Sequence, residues 1–193
     1  GVALVHAFRE ETGLPIFLNA DHHKTFESAK IAIDAGYDSV QIDETALSFE
    51  ENIKVSKQVV EYAKSVNPDI SVEGGLGYIR GSSEIHKEKI EVKPEDMTTP
   101  EEAKQFVEET GVDRLAIVFG NIHGVSTQGN PRLDIERLKK VHAAIPNMPL
   151  TLHGGSGIND EDIKASLKHG MSNIHVNTEI RVAYTNALRA RLE

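Results

Sequence analysis

Apolar and polar positions alternate along this chain in blocks. Continuous apolar runs fall at 15–20 (PIFLNA), 38–42 (DSVQI), 69–73 (DISVE), 114–119 (RLAIVF), 149–152 (PLTL) and 173–177 (NIHVN). Unbroken runs of this length are expected of strands buried on both faces of a parallel sheet. The stretches between them carry helix punctuation. Ser48 with Glu51 and Thr99 with Glu102 have the spacing of capping boxes. Pro100 stands where a first helical turn tolerates a missing N–H. Gly36, Gly111 and Gly170 fall at expected helix ends, where a left-handed residue is useful.

Those three glycines open a weak internal repeat. Gly36-Tyr37-Asp38-Ser39-Val40, Gly111-Val112-Asp113-Arg114-Leu115 and Gly170-Met171-Ser172-Asn173-Ile174 each read as helix end, glycine, apolar residue, polar pair and buried strand. One αβ turn is reused around a sheet. Strand ends near Asp21, Asp43, Glu73, Gly120, His153 and Asn177 give six units. The only long spacer, 74–98, is rich in Gly, Ser, Glu and Lys and is expected to be a mobile active-site loop. A doubly wound open sheet could hold six strands. The favoured fold is an α/β TIM (β/α)8 barrel, N-terminally incomplete, with six βα units in one domain over 1–193, because eight units typically need ~250 residues. Val2 to Glu11 would then be the tail of a second barrel helix.

Composition narrows the function. The formal net charge is −9, which argues against nucleic acid as a partner, since phosphate backbones select clustered Lys and Arg. No run approaches the ~20 apolar residues of a membrane span, so no membrane partner is expected. No secretory leader is expected either, and the reading is cytoplasmic. With no cysteine, any metal site must use nitrogen and oxygen ligands.

Polar residues collect just after the apolar runs: Asp21-His22, Asp43-Glu44, Glu73, His123-Gly124, His153 to Gly157, and His175 to Thr178. In a barrel these meet at the C-terminal face, where active sites sit. Three histidines, His22, His123 and His153, are expected to end three different strands. Catalytic zinc commonly takes three protein ligands, and three histidines are one known set. His6, His86, His142 and His169 are expected to be solvated, and His23 to begin the next helix. Gly154-Gly155-Ser156-Gly157 precedes a helix near Asn159, and glycines before a helix N-terminus suit an anion. Asn177-Thr178 offers a second donor set, and TIM barrels often hold phosphate after their last two strands.

The motifs "ADHH", "SVEGGLG", "FGNIHGV", "LTLHGGSGI" and "NIHVNTEI" together resemble, in order and spacing, those of the class II fructose-bisphosphate and tagatose-bisphosphate aldolases. The resemblance covers nearly the whole chain. It implies a zinc-dependent barrel that joins or cleaves dihydroxyacetone phosphate and an aldehyde, with fructose 1,6-bisphosphate the expected phosphosugar. On it, His22, His123 and His153 match the Zn2+ ligands and Asp21 the catalytic acid/base. Glu84 is the best positional match to a mobile-loop glutamate that moves the ketose proton, with Glu88 the competing choice. Gly124, Gly154, Ser156, Asn177 and Thr178 match positions around the ketose phosphate, where a monovalent cation is also implied. A homo-oligomer, dimer or tetramer, is the expected assembly of the full-length protein.

Two departures stand out. The family's Glu-x-Glu reads Glu73-Gly74-Gly75 here, so the second acid is missing. His175 stands where the family has an Asn that contacts ketose oxygens; it is expected to donate the same hydrogen bond, with an extra metal ligand the competing role. A metal-dependent hydrolase and a non-catalytic phosphosugar-binding barrel remain the alternative functions.

Overall fold

The computed structural model describes residues 1–43 and 45–192. Glu44, placed by the sequence at a strand end, lies outside the described residues. Each of the six apolar runs overlaps one of the six strands of one sheet. In chain order the strands are β1 (Asn19–His23), β2 (Ser39–Ile42), β3 (Ser71–Leu76), β5 (Arg114–Ile117), β7 (Leu150–Leu152) and β8 (Met171–Ile174). β1 begins four residues after its run, and β8 begins two residues before its own. The strand order across the sheet is β1-β2-β3-β5-β7-β8. Order in space therefore follows order in sequence without reversal. That is the winding of a (βα)8 barrel; a doubly wound sheet would reverse direction at a switch point.

The chain divides into two compact units, residues 1–75 with 105–115, and residues 76–104 with 116–193. In the first, α1 (Val2–Thr12), α2 (Phe26–Asp34) and α3 (Phe49–Val66) accompany β1 to β3. β1 and β2 pair in parallel, as do β2 and β3. Ala29, Ile33, Val40, Ile42, Val59, Val72 and Phe106 form its core. The Ser48–Glu51 capping box opens α3 as expected. Gly36 and Gly111 adopt φ of 87° and 70° where helices give way to strands.

The glycines after Glu73 look like loop, yet β3 continues through them to Leu76. The reason is packing. A Cβ on Gly74 would overlap the buried ring of Phe106, so only glycine lets the helix side chain lie flat on the strand. Glu73 is consequently within β3 rather than at its end. It is fully buried, and Arg114 Nε donates to its carboxylate. The same guanidinium reaches Asn19 (2.8 Å) and Ser71 (3.1 Å). Removing one partner of such a buried pair would leave the other charge uncompensated.

The second unit adds α4 (Pro100–Thr110, shared with the first), α5 (Ile135–Ala144), α6 (Asp160–Leu167) and α7 (Thr178–Leu192). Its core is built on Ile117, Phe119, Ile122, Leu138, Leu150 and Leu152. Thr99 and Glu102 cap α4 reciprocally, at 3.1 and 3.2 Å. The spacer 74–98, expected to be a loop, contains a strand, β4 (Arg80–His86), and a 3-10 turn (Pro94–Asp96). β4 pairs in parallel with a second unforeseen strand, β6 (Ile122–Ser126).

Candidate active site

In the first unit the site begins with a break in regularity. Along β1 and β2, Ala20 faces Val40, but the next pair is His23 with Ile42. Three steps on β1 match two on β2, so a β-bulge falls at Asp21-His22. A bulge re-aims side chains that would otherwise alternate across the sheet. His22 takes φ of 56°, the only non-glycine residue with positive φ among the described residues. Its N–H is caught by Gln41 Oε1 at 2.9 Å. Its Nδ1 lies 3.0 Å from Asp43 Oδ2. As a result Asp21 Oδ2 comes within 3.6 Å of His22 Nε2, although neighbours in a regular strand point to opposite faces.

Asp43 is itself clamped. Lys24 Nζ donates to its backbone oxygen (2.7 Å) and to Oδ2 (2.8 Å), and Thr45 Oγ1 donates to Oδ1 (3.1 Å). Burial alone would push the Asp43 carboxyl up; the hydrogen bonds from His22 and Lys24 overturn this and hold it well below the usual carboxylate range. The same Asp43 hydrogen bond raises the pKa of His22 against burial, with Asp21 adding to the effect. Nδ1–H donated to a carboxylate leaves Nε2 as the lone-pair nitrogen, the arrangement of metal-binding histidines. A Cβ at Gly75 would sit 3.2 Å from Asp43 Oδ1, so the missing second acid leaves Asp43 its room. His23 does not begin a helix. It closes β1, and Thr25 caps α2.

In the second unit His123, His153 and His175 come together. The rings of His153 and His175 have centroids 4.2 Å apart, and those of His123 and His153 6.2 Å apart. His153 directly follows β7 and is buried. His123 does not end the strand 114–119. It is the second residue of β6, which Val118 to Asn121 separate from β5. His175 follows β8, with Nε2 3.0 Å from Asn173 Nδ2.

The glycine-rich turn is built around backbone contacts. Gly154 has φ of 69°, and the Ile122 carbonyl occupies the space of its absent Cβ. Ser156 Oγ is buried and accepts from the N–H groups of Asn177 (3.3 Å) and Glu179 (3.2 Å). It thereby caps α7 from a neighbouring loop and ties Gly154–Gly157 to Asn177-Thr178. Thr178 is buried, and Asn177 is exposed. Glu84 is on β4, exposed, and accepts from Ser82 Oγ at 2.7 Å. His86, expected to be solvated, has a side chain only 15% exposed and hydrogen-bonds backbone carbonyls.

Two asparagines escaped the sequence reading. Buried Asn121 donates to His153 O (3.0 Å) and accepts from Phe119 N (2.9 Å). Asn130 Nδ2 bridges Gly124 O (3.1 Å) and Ser156 O (2.9 Å), and its Oδ1 accepts from Ser126 N. The Gly129-Asn130-Pro131 turn was the only local signal for the second.

Comparison with known proteins gives a consistent result. A family model described as fructose-bisphosphate aldolase class-II matches residues 1–193. A curated fructose-bisphosphate aldolase from Geobacillus stearothermophilus is 37% identical over 195 residues, covering 99% of this chain and 64% of the relative. The crystal structure of the YdjI aldolase from Escherichia coli K12 matches with a TM-score of 0.79 and 31% identity, over 99% of this chain and 63% of that one. A putative fructose-1,6-biphosphate aldolase from Coccidioides immitis matches with a TM-score of 0.84 and 29% identity, over 97% and 65%. The chain thus spans less than two thirds of the length of each of these relatives.

Proposed function

Because the chain belongs to the class II fructose-bisphosphate aldolase family, we propose that the protein carries out reversible, zinc-dependent aldol cleavage of a ketose 1,6-bisphosphate. The substrate in this reading is fructose 1,6-bisphosphate, and the products are dihydroxyacetone phosphate and glyceraldehyde 3-phosphate. The observation that carries the proposal is the bulged pair: a carboxylate, Asp21, beside the Nε2 of a histidine, His22, whose Nδ1 is taken by Asp43.

His22, His123 and His153 are the proposed zinc ligands. Imidazole nitrogens suit zinc, and three histidines are a known donor set for it. Bound there, zinc would polarise the ketone oxygen and stabilise negative charge next to it. The other steps belong to side chains. In cleavage, Asp21 removes the proton of the hydroxyl whose carbon becomes the aldehyde; in condensation it returns that proton. Glu84 moves the proton at the carbon beside the ketone. Gly124, Gly154, Ser156, Asn177 and Thr178 surround the ketose phosphate; the bonds by which Ser156 ties the glycine turn to the start of α7 support that arrangement by holding the two loops together. His175 donates to a ketose oxygen in place of the family's Asn.

The 193 residues form one partial aldolase domain in this reading, and the full-length protein is a cytoplasmic homo-oligomer. Among the described residues no helix is long and apolar enough to cross a membrane.

The test is cleavage of fructose and tagatose bisphosphates, read as triose phosphate released, before and after chelation and after zinc is restored. Chelator-sensitive cleavage that zinc rescues supports the proposal. Release of free inorganic phosphate instead would favour the hydrolase reading, and saturable binding without turnover the non-catalytic one.

A further inference from the structure

The strand β4 is held in an unusual way. Its residues 81–85, Gly81-Ser82-Ser83-Glu84-Ile85, are all exposed. Little apolar burial fastens it, so its position must come from polar contacts and close backbone fit. Its register with β6 runs Arg80 to Ile122 and Gly81 to His123, then jumps to Ile85 with Val125 and His86 with Ser126. Four steps on β4 match two on β6. Ser82, Ser83 and Glu84 therefore stand out as a wide bulge, the kind of feature that re-aims a side chain beside an active site.

His86 closes the base of that bulge. Its Nε2 lies 2.9 Å from Ser82 O and 3.1 Å from His123 O. With its proton on Nε2, the ring shares one N–H between a carbonyl at the start of the bulge and a carbonyl on the opposing strand. The segment after β6 fastens the far side. Thr127 N donates to His86 O (2.9 Å), Ser126 Oγ to Glu88 O (3.0 Å) and Gln128 Nε2 to Lys87 O (3.0 Å). The fit is too close for any side chain in between. A Cβ on Gly124 would run into the carbonyls of Ser82 and Glu84 and lie 2.6 Å from His86 Nε2.

We infer that His86 is a positioning residue: its ring holds the bulge that presents Glu84 against the strand that carries His123. For its catalytic consequence the inference rests on the proposed role of Glu84; for its structural content it does not.

The experiment compares His86→Ala with His86→Gln, whose side-chain amide can restore the N–H donor. Amide hydrogen exchange over residues 80–86 is the first readout. Loss of two shared bonds in an exposed strand is expected to speed exchange there about tenfold in His86→Ala, and His86→Gln should recover most of the protection. The second readout is kinetic. kcat for bisphosphate cleavage should fall about tenfold in His86→Ala, with KM and zinc content unchanged, because the ring acts through Glu84 rather than on substrate or metal. Unchanged exchange in His86→Ala overturns the inference. Faster exchange with an intact kcat overturns it too, since His86 would then be structural only. If the wild-type protein cleaves no bisphosphate, the aldolase reading fails, and exchange alone decides whether His86 holds the bulge. Should His86→Ala not fold, His86→Phe, which fills the space of the ring without an N–H donor, carries the same two readouts with the same outcomes.

Discussion

Asp21 and His22 are adjacent in sequence, yet a carboxylate oxygen of the first lies 3.6 Å from the Nε2 of the second. A regular strand would send them to opposite faces. The one-residue bulge in β1, with His22 at φ of 56°, brings both to the same place. An uncommon backbone conformation in a bulky residue needs support. Gln41 and Asp43 supply it by holding the N–H and the ring of His22. A proton carrier and a proposed metal ligand are thus fixed together by one local irregularity.

Asp43 should govern metal affinity without binding metal. Asp43→Ala removes the acceptor on His22 Nδ1 and frees Lys24. Loss of such an outer partner typically costs ~10–100-fold in metal affinity. Zinc affinity measured by competition with a chromophoric chelator checks this. Wild-type affinity in the variant would mean that Asp43 serves only to hold Lys24.

Gly74 and Gly75 should fail differently when a methyl is added. Gly74→Ala forces a Cβ into the buried Phe106 ring, and overpacking of this kind costs ~1–3 kcal/mol. Gly75→Ala meets Asp43 Oδ1 at 3.2 Å, so its main effect should be on zinc affinity rather than on stability. Urea denaturation of both variants, beside zinc titration, separates the two effects. Equal stability of Gly74→Ala and wild type would contradict the packing account.

Acid should destabilise the fold through particular ion pairs. The Arg80 hydrogen bond holds the Asp96 carboxyl below its usual range despite burial, and Arg132 does the same for Asp162. A depressed folded-state pKa contributes stability that is full above the unfolded carboxylate value, about 3.9. It is lost as pH falls through the folded value. Stability should therefore hold from neutral pH down to about 5 and decline below about 4. Asp96→Asn should be less stable at neutral pH and show a shallower acid decline. Parallel pH profiles of the urea midpoint for variant and wild type would count against the Arg80–Asp96 pair.

Most of the sheet was legible because its signals are local. Each of the six apolar runs overlaps a strand, though β1 and β8 share only two residues with theirs. Ser48-x-x-Glu51 and Thr99-x-x-Glu102 marked helix starts, and Gly36, Gly111 and Gly170 marked helix ends. The illegible parts depend on contacts between distant segments. β4 has no apolar alternation, because it is placed by backbone pairing with β6 and by His86 rather than by burial. β3 runs on through Gly74 because of Phe106, thirty-two positions away in the sequence. Asn121 and Asn130 act on carbonyls of other loops, so nothing near them announces the role. The bulge at Asp21-His22 needs the register with β2, which one strand's sequence does not contain. The histidines themselves were visible as types and positions, but His86 was misjudged as solvated and His123 as the end of the preceding strand.

The central claim is that Asp21 moves a proton while its neighbour holds the metal. It is tested most directly by measuring turnover and zinc content on the same preparation of Asp21→Asn. The substitution keeps shape and removes the titratable carboxyl. The account predicts that turnover falls by roughly 10²–10⁴ while zinc stays at the wild-type level. Intact turnover, or zinc lost in step with activity, would contradict it.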